Sequence, residues 1–253
     1  MQLKHAAQTD VGMKRTHNED SFLVNAELGL FVVADGMGGH AGGETASRVA
    51  VTTIEQEMLQ AWEKDPEVFA HPGELEETPL ADLMRDSLEA ACAAVYHTAR
   101  ANPALDGMGT TSVTLLCREG LAVAGHVGDS RLYMIRGDHI QQISEDHSLV
   151  HEQVKAGLLT EEQAKQSRLK NIITRSIGYE EDVLVDVFGV RLEAGDLLLL
   201  CTDGLSNLVT DEEVKSVFET LPLAAVPQKL IDLANAGGGD DNITVVVVQV
   251  EEP

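Results

Sequence analysis

Four aspartates stand at the edges of short, strongly apolar runs: Asp35 after LFVVA, Asp129 after LAVAGHVG, Asp203 after LLLLCT, and Asp241 just before NITVVVV. Apolar runs of this length read as buried strands, where an unpaired carboxylate is very costly. Four of them at strand ends point to a shared cluster of hard oxygen ligands for divalent cations. Gly36 and Gly204 follow two of these residues; lacking a side chain, they let a backbone carbonyl approach an ion. The donors are all oxygen, with no Cys/His spacing of the zinc kind, which suits Mg²⁺ or Mn²⁺. Two such ions roughly 3.5–4 Å apart acidify a bridging water and aim it in line at a phosphorus atom. Taken singly, an Asp-Gly pair is as readily a plain surface turn. Only the set of four together makes a site.

Two other segments carry suitable chemistry. Arg15 opens the run RTHNED, and a guanidinium grips phosphate with planar, bidentate hydrogen bonds while keeping its charge at any working pH. Glu19 and Asp20, just before an expected strand, add contacts to metals or to their waters. Alone, that run reads as a solvated charged turn; beside the aspartates it reads as part of a site. His40 lies in the glycine-rich stretch that follows Asp35. Its near-neutral pKa suits it to protonate a leaving alkoxide. His126, inside an apolar run, reads as a core residue.

The elements needed to position these groups are legible in outline. Residues 21–26 and 30–34 read as strands. Ala46, Val49, Ala50, Ile54 and Met58 then recur at helical spacing from Glu44 onward. A polar stretch with Pro66, Pro72, Gly73 and Pro79 predicts an irregular connection, and Met84, Leu88, Ala91, Val95 and Ala99 define a second helix, broken over 102–109. Strands follow at 112–117, 121–127, 131–135 and 140–143, the last two joined by a hairpin turn at 136–139. Residues 148–172 are polar, with Lys155, Lys165, Arg168 and Lys170, and read as a mobile excursion. Strands at 183–190, 197–201 and 243–250 bracket two helices within 211–236. Helices between groups of hairpin-connected strands favour a layered α+β or αββα arrangement over a doubly wound parallel sheet.

The 253 residues suffice for one large domain. With 18 basic against 42 acidic residues the formal charge is −24, which argues against nucleic acid or an anionic membrane as partner. Cys92, Cys117 and Cys201 are widely spaced, each in an apolar stretch, and read as buried reduced thiols. No run reaches the ~18 apolar residues of a membrane span, and residues 1–10 lack a signal peptide's apolar stretch. A cytoplasmic location is the expectation.

RTHNED from Arg15, FVVADGMGGHAGGE from Phe31, GTTSV from Gly109, HVGDSRLY from His126, CTDGLSN from Cys201 and DDNITVVVV from Asp240 resemble, in order, the motifs of the metal-dependent protein phosphatase family (the PPM or 2C type). The DGMGGH loop is similar to that of its bacterial branch. The resemblance implies a four-layer αββα sandwich of two mainly antiparallel sheets and one catalytic domain over 1–253, with a flap near 148–175. It implies a serine/threonine protein phosphatase in which a hydroxide bridging two Mn²⁺ or Mg²⁺ ions attacks phosphorus in one step. Asp35 would bridge the ions, Gly36 would supply a carbonyl, and Asp203 and Asp241 would complete the pair. Asp129, with Asp203, would hold a weaker third ion. Arg15 would bind the phosphate, Glu19 and Asp20 would orient metal-bound waters, and His40 would be the general acid. Asp240, doubling the acid before Asn242, is a candidate contact to such waters. The implied partners are phosphoproteins, among them a bacterial Ser/Thr kinase and its targets. Residues 61–80 match none of these motifs.

Two other readings are weaker. The stretch from Gly36 to Ala41 nearly fits a dinucleotide-binding GxGxxG/A loop, but Asp35 would oppose the pyrophosphate and no second parallel strand with a ribose-binding acid follows. A catalytically silent binding module would be expected to lack ligands, and here the set is intact. A cysteine-based phosphatase is excluded, since no cysteine is followed by the phosphate-cradling loop and arginine.

Overall fold

The computed structural model describes residues 2–38, 41–70 and 78–251. The strands are β1 (Gln2–Asp10), β2 (Asp20–Asn25), β3 (Leu30–Met37), β4 (Gly109–Thr110), β5 (Ser112–Arg118), β6 (Leu121–Val127), β7 (Arg131–Arg136), β8 (His139–Gln142), β9 (Asp186–Arg191), β10 (Leu197–Cys201) and β11 (Ile243–Glu251). The helices are α1 (Ala41–Lys64), α2 (Glu67–Ala70), α3 (Pro79–Ala101), α4 (Leu149–Lys155), α5 (Glu161–Lys165), α6 (Asp203–Ser206), α7 (Asp211–Thr220) and α8 (Val226–Ala236).

Two antiparallel sheets form, ordered β1-β11-β10-β7-β8 and β2-β3-β5-β6-β9, with β4 paired to β3. The apolar runs of β3, β5, β6, β10 and β11 are continuous because these strands are buried on both faces. Along β3, Leu30, Val32 and Ala34 pack with Ile54, Met58, Met84 and Leu88 of α1 and α3. The alternate residues Phe31 and Val33 meet Leu198, Leu200, Val246 and Val248 of the facing sheet. Along β11, Val245 and Val247 turn outward to Leu230 and Ile231 of α8. The period-two alternation of Cβ directions thus splits each run between two cores, and the layers are helix, sheet, sheet, helix, as the resemblance implied.

Several boundaries differ from the sequence expectation. β1 was not expected, because QLKHAAQTD has one large aliphatic side chain, Leu3. It forms because β11 offers it a nine-pair antiparallel register, and backbone pairing needs no side-chain pattern. β3 runs on to Met37, so Asp35 stands inside the strand, and Gly36 pairs with Thr110 of β4. α1 begins at Ala41 rather than at Glu44. β9 spans 186–191 instead of 183–190 and β8 spans 139–142 instead of 140–143. The polar connection after α1 contributes to the core: Phe69 of α2 is buried against Trp62, ring centroids 5.1 Å apart. Residues 148–172 hold two short helices, capped by the Ser148 and Thr160 hydroxyls.

Candidate metal centre and active site

Register brings the acidic residues to one end of the sandwich. In one sheet Asp20 pairs with Asp35, and Ser112 at the start of β5 pairs with Val127 at the end of β6, two residues before Asp129. In the other, Cys201 pairs with Val245, so Asp203 and Asp241 flank the same end of antiparallel neighbours. Thr202 and Thr244 of that sheet donate to Asp20 Oδ2 at 3.0 and 2.6 Å, which joins the two sheets at this edge.

Like charges in a dry place disfavour ionisation. Burial, then the charges of Asp20, Asp203, Asp129 and Asp241, hold the Asp35 carboxyl well above its ordinary value. Burial pushes Asp20 up to about 7 against the opposing pull of the two threonine hydroxyls. Asp129 is likewise pushed to about 7 by burial, then by Asp203 and Asp146. Asp203 is raised by burial and Asp241, with Lys170 and Arg15 acting the other way.

Glycine is required where the loops cross this edge. A Cβ on Gly36 would lie 2.1 Å from the Gly43 carbonyl oxygen and 2.5 Å from that of Glu19. One on Gly204 would lie 2.0 Å from the Asn242 oxygen. Both contacts are with backbone, so nothing can yield.

Arg15 donates to Asp241 Oδ2 at 2.6 Å, at the mouth of the edge. Its loop is tied down by Asn242, whose side chain accepts from the Glu19 N–H at 2.7 Å and donates to the carbonyls of Val11 and His17, both at 2.9 Å. Asp240 is exposed and engaged by Lys14, which holds its carboxyl below the usual range. The structure therefore brings Asp20, Asp35, Asp129, Asp203, Asp241, Gly36, Glu19 and Arg15 to one edge, and turns Asp240 to a surface lysine. His40 lies outside the described residues.

The residues that hold the carboxylates do not announce themselves in the sequence. Thr111 accepts from the Asp35 N–H at 2.9 Å, and Asn207 donates to Asp203 Oδ2 at 2.9 Å. Arg131 grips Asp146 with both its Nε and Nη2, at 2.9 and 2.7 Å. Their signal was present, since each is a small polar or charged residue beside a chemistry-bearing motif, but only folding names the partner.

The donor set fits divalent cations. Asp20 Oδ1 and Asp203 Oδ1 are buried without a hydrogen-bond partner, an expensive arrangement unless a ligand or water completes it. Among the described residues no three acidic, histidine or cysteine side chains close around a single point. The carboxylates instead line a shared edge.

The protein phosphatase 2C family profile matches residues 12–233. The chain is 39% identical over 252 residues to protein phosphatase PhpP of Streptococcus pneumoniae, covering 96% of both chains. The serine/threonine phosphatase PstP/Ppp of Mycobacterium tuberculosis superposes with a TM-score of 0.88 at 32% identity over 100% of both chains. A PstP catalytic domain in complex with two manganese ions gives 0.83 at 33% identity over 99% of both.

Proposed function

The chain belongs to the protein phosphatase 2C family and is a bacterial-type serine/threonine protein phosphatase; from that premise we propose that the carboxylate edge is its active site. One observation carries the reading: aspartates from both sheets meet at one end, with raised pKa values and two unpartnered buried oxygens. Asp35, Gly36, Asp203 and Asp241 would hold two Mn²⁺ or Mg²⁺ ions, and Asp129 with Asp203 would hold a weaker third. Bound there, the ions supply Lewis acidity to an oxygen nucleophile and neutralise phosphate charge.

The chain's own groups do the rest. Arg15, at the mouth, exchanges its contact with Asp241 for the substrate phosphate, orienting it for in-line displacement. Glu19 and Asp20 accept hydrogen bonds from waters at the edge, Asp20 through its free Oδ1. His40 protonates the departing serine or threonine oxygen, and Asp240 sets the charge of the rim beside Lys14. No phosphoenzyme forms on sulfur: all three cysteines are buried, and burial pushes the Cys117 and Cys201 thiols up to about 12, far from the thiolate that such chemistry needs.

Substrates are phosphoproteins, among them a Ser/Thr kinase and its targets. Residues 1–253 act as one catalytic unit in the cytoplasm, with 148–175 as the flap; among the described residues no helix is long and apolar enough to cross a membrane. Lys170 of this flap places its charge on Asp203 and Asp240. The test is phosphate release from a phosphothreonine peptide by chelator-stripped protein titrated with Mn²⁺, with Asp203→Asn in parallel. Activity returning in wild type alone supports the reading; no release from folded wild-type protein at any Mn²⁺ or Mg²⁺ concentration refutes it.

A further inference from the structure

His147 and Asp186 take no part in the steps above, yet they are wired to the turn that carries Asp129. Gly128 is held twice by one residue: its carbonyl accepts from the His147 N–H at 2.8 Å, and its N–H donates to His147 Nδ1 at 3.1 Å. The turn has no slack, because Gly128 has φ +109° and a Cβ there would lie 2.5 Å from Thr111 Cγ2. Thr111 is the residue that accepts from the Asp35 N–H.

A ring nitrogen that accepts from an amide cannot carry a proton, so the neutral ring has its hydrogen on Nε2. That nitrogen sits 2.9 Å from Asp186 Oδ2 and donates to it. Arg175 Nη1 donates to Asp186 Oδ1 at 2.8 Å and also lies 3.2 Å from Nε2, the longer of its two contacts, so the shorter 2.9 Å approach of the Asp186 carboxylate decides where the ring proton points. The other tautomer would set two N–H groups face to face at Gly128. Burial and the nearby Arg175 charge hold the imidazole below its ordinary pKa, with Asp186 and Asp146 acting the other way. The His126 ring, buried and 4.7 Å from that of His147, leaves no room for a second charge.

We propose that His147 is a positioning residue for Asp129: fixed as the Nε2–H tautomer by Asp186, it holds the Gly128–Asp129 turn so that the Asp129 carboxylate faces Asp203. Asp186 and Arg175 act through it and touch no substrate. The inference rests on the reading of Asp129 as a metal-site carboxylate, and the experiment separates the two.

Free Mn²⁺ is followed by electron paramagnetic resonance as it titrates the full chain, for wild type, Asp129→Asn, His147→Ala, His147→Asn and the Asp129→Asn/His147→Ala pair. Asp129→Asn and His147→Ala each weaken the last Mn²⁺ binding step by about tenfold, the lower end of what losing a supporting partner does to metal affinity. The double variant is no weaker than Asp129→Asn alone. His147→Asn recovers most of the loss, since its Oδ1 can accept from the Gly128 N–H. Wild-type binding by folded His147→Ala, beside a weakened Asp129→Asn, overturns the positioning role. Wild-type binding by Asp129→Asn removes Asp129 from the metal site and takes the proposal with it. A second measurement needs no variant: ¹⁵N NMR of the metal-free wild type at pH 8 shows His147 as the Nε2–H form, and an Nδ1–H form overturns the proposal.

Discussion

Arg15 and Asp241, 226 residues apart, meet through a 2.6 Å hydrogen bond at the mouth of the carboxylate edge. The cation proposed to bind substrate phosphate is thus parked on a proposed metal ligand, and its charge also reaches Asp203. Arg15→Ala should raise KM for a phosphothreonine peptide about tenfold to a hundredfold, the range expected for a lost hydrogen bond to a charged group. kcat should change much less. Arg15→Lys should recover part of the loss, since it keeps charge and not the bidentate fork. Steady-state kinetics at saturating Mn²⁺ checks this, and an unchanged KM removes Arg15 from the phosphate site.

Asp203→Asn should abolish Mn²⁺-dependent turnover and at the same time stabilise the metal-free protein. It removes one charge from a set whose members already oppose each other's ionisation. In EDTA at pH 8 the melting temperature should rise by roughly 2–4 °C, the shift that ~1 kcal/mol makes in a protein of this size. A lowered melting temperature would show that Asp203 is held by favourable contacts instead.

The pH dependence follows from the direction of the shifts. A carboxyl whose folded pKa is raised contributes stability that is fully present below its unfolded value and is lost as pH climbs through the folded one. For Asp129 that window runs from 3.8 to about 7. Removing the group by Asp129→Asn should therefore leave metal-free stability near that of wild type at pH 4. The variant should gain on wild type up to pH 8, by on the order of 4 kcal/mol. His126, lowered to about 4 by burial, works in the opposite sense, losing stability as pH falls below 6.5. It is present in both proteins and cancels. Urea melts at four pH values measure the difference, and a variant that loses ground as pH rises contradicts the assignment.

Thr244→Val should act on the site without touching a proposed ligand. The hydroxyl donates to buried Asp20 Oδ2 at 2.6 Å, and losing it leaves that oxygen with Thr202 alone. Folding stability at pH 8 should fall by about 1–3 kcal/mol, and Mn²⁺ binding by calorimetry should weaken with it. Thr244→Ser, which keeps the donor, should restore both.

Gly36→Ala tests the close crossing of β3 and α1. The methyl meets two backbone oxygens at 2.1 and 2.5 Å, so the strand or the helix must move. A loss of about 3 kcal/mol or more is expected, seen as a melting temperature lower by roughly 6–12 °C.

Much of this was legible in the chain. Asp35, Asp129, Asp203 and Asp241 stand out because a carboxylate beside a doubly buried strand needs a reason to be there, and local composition alone displays that conflict. Reading β10 and β11 as antiparallel neighbours was enough to put Asp203 and Asp241 at one end. β1 escaped notice because its partner supplies what its own sequence lacks, and Phe69 because its burial depends on Trp62 rather than on periodicity.

What only the tertiary structure decided is which side chain answers which. Nothing local says that Arg15 reaches Asp241, that Lys14 takes Asp240 to the surface, or that Thr202 and Thr244 both serve Asp20. His147 reads as one of nine histidines until Gly128 and Asp186 fall on opposite sides of its ring. Residue type and spacing determine which chemistry a segment can perform, because they set pKa, charge and strand periodicity. The partners are set by sheet register and loop crossing, which depend on contacts hundreds of residues apart.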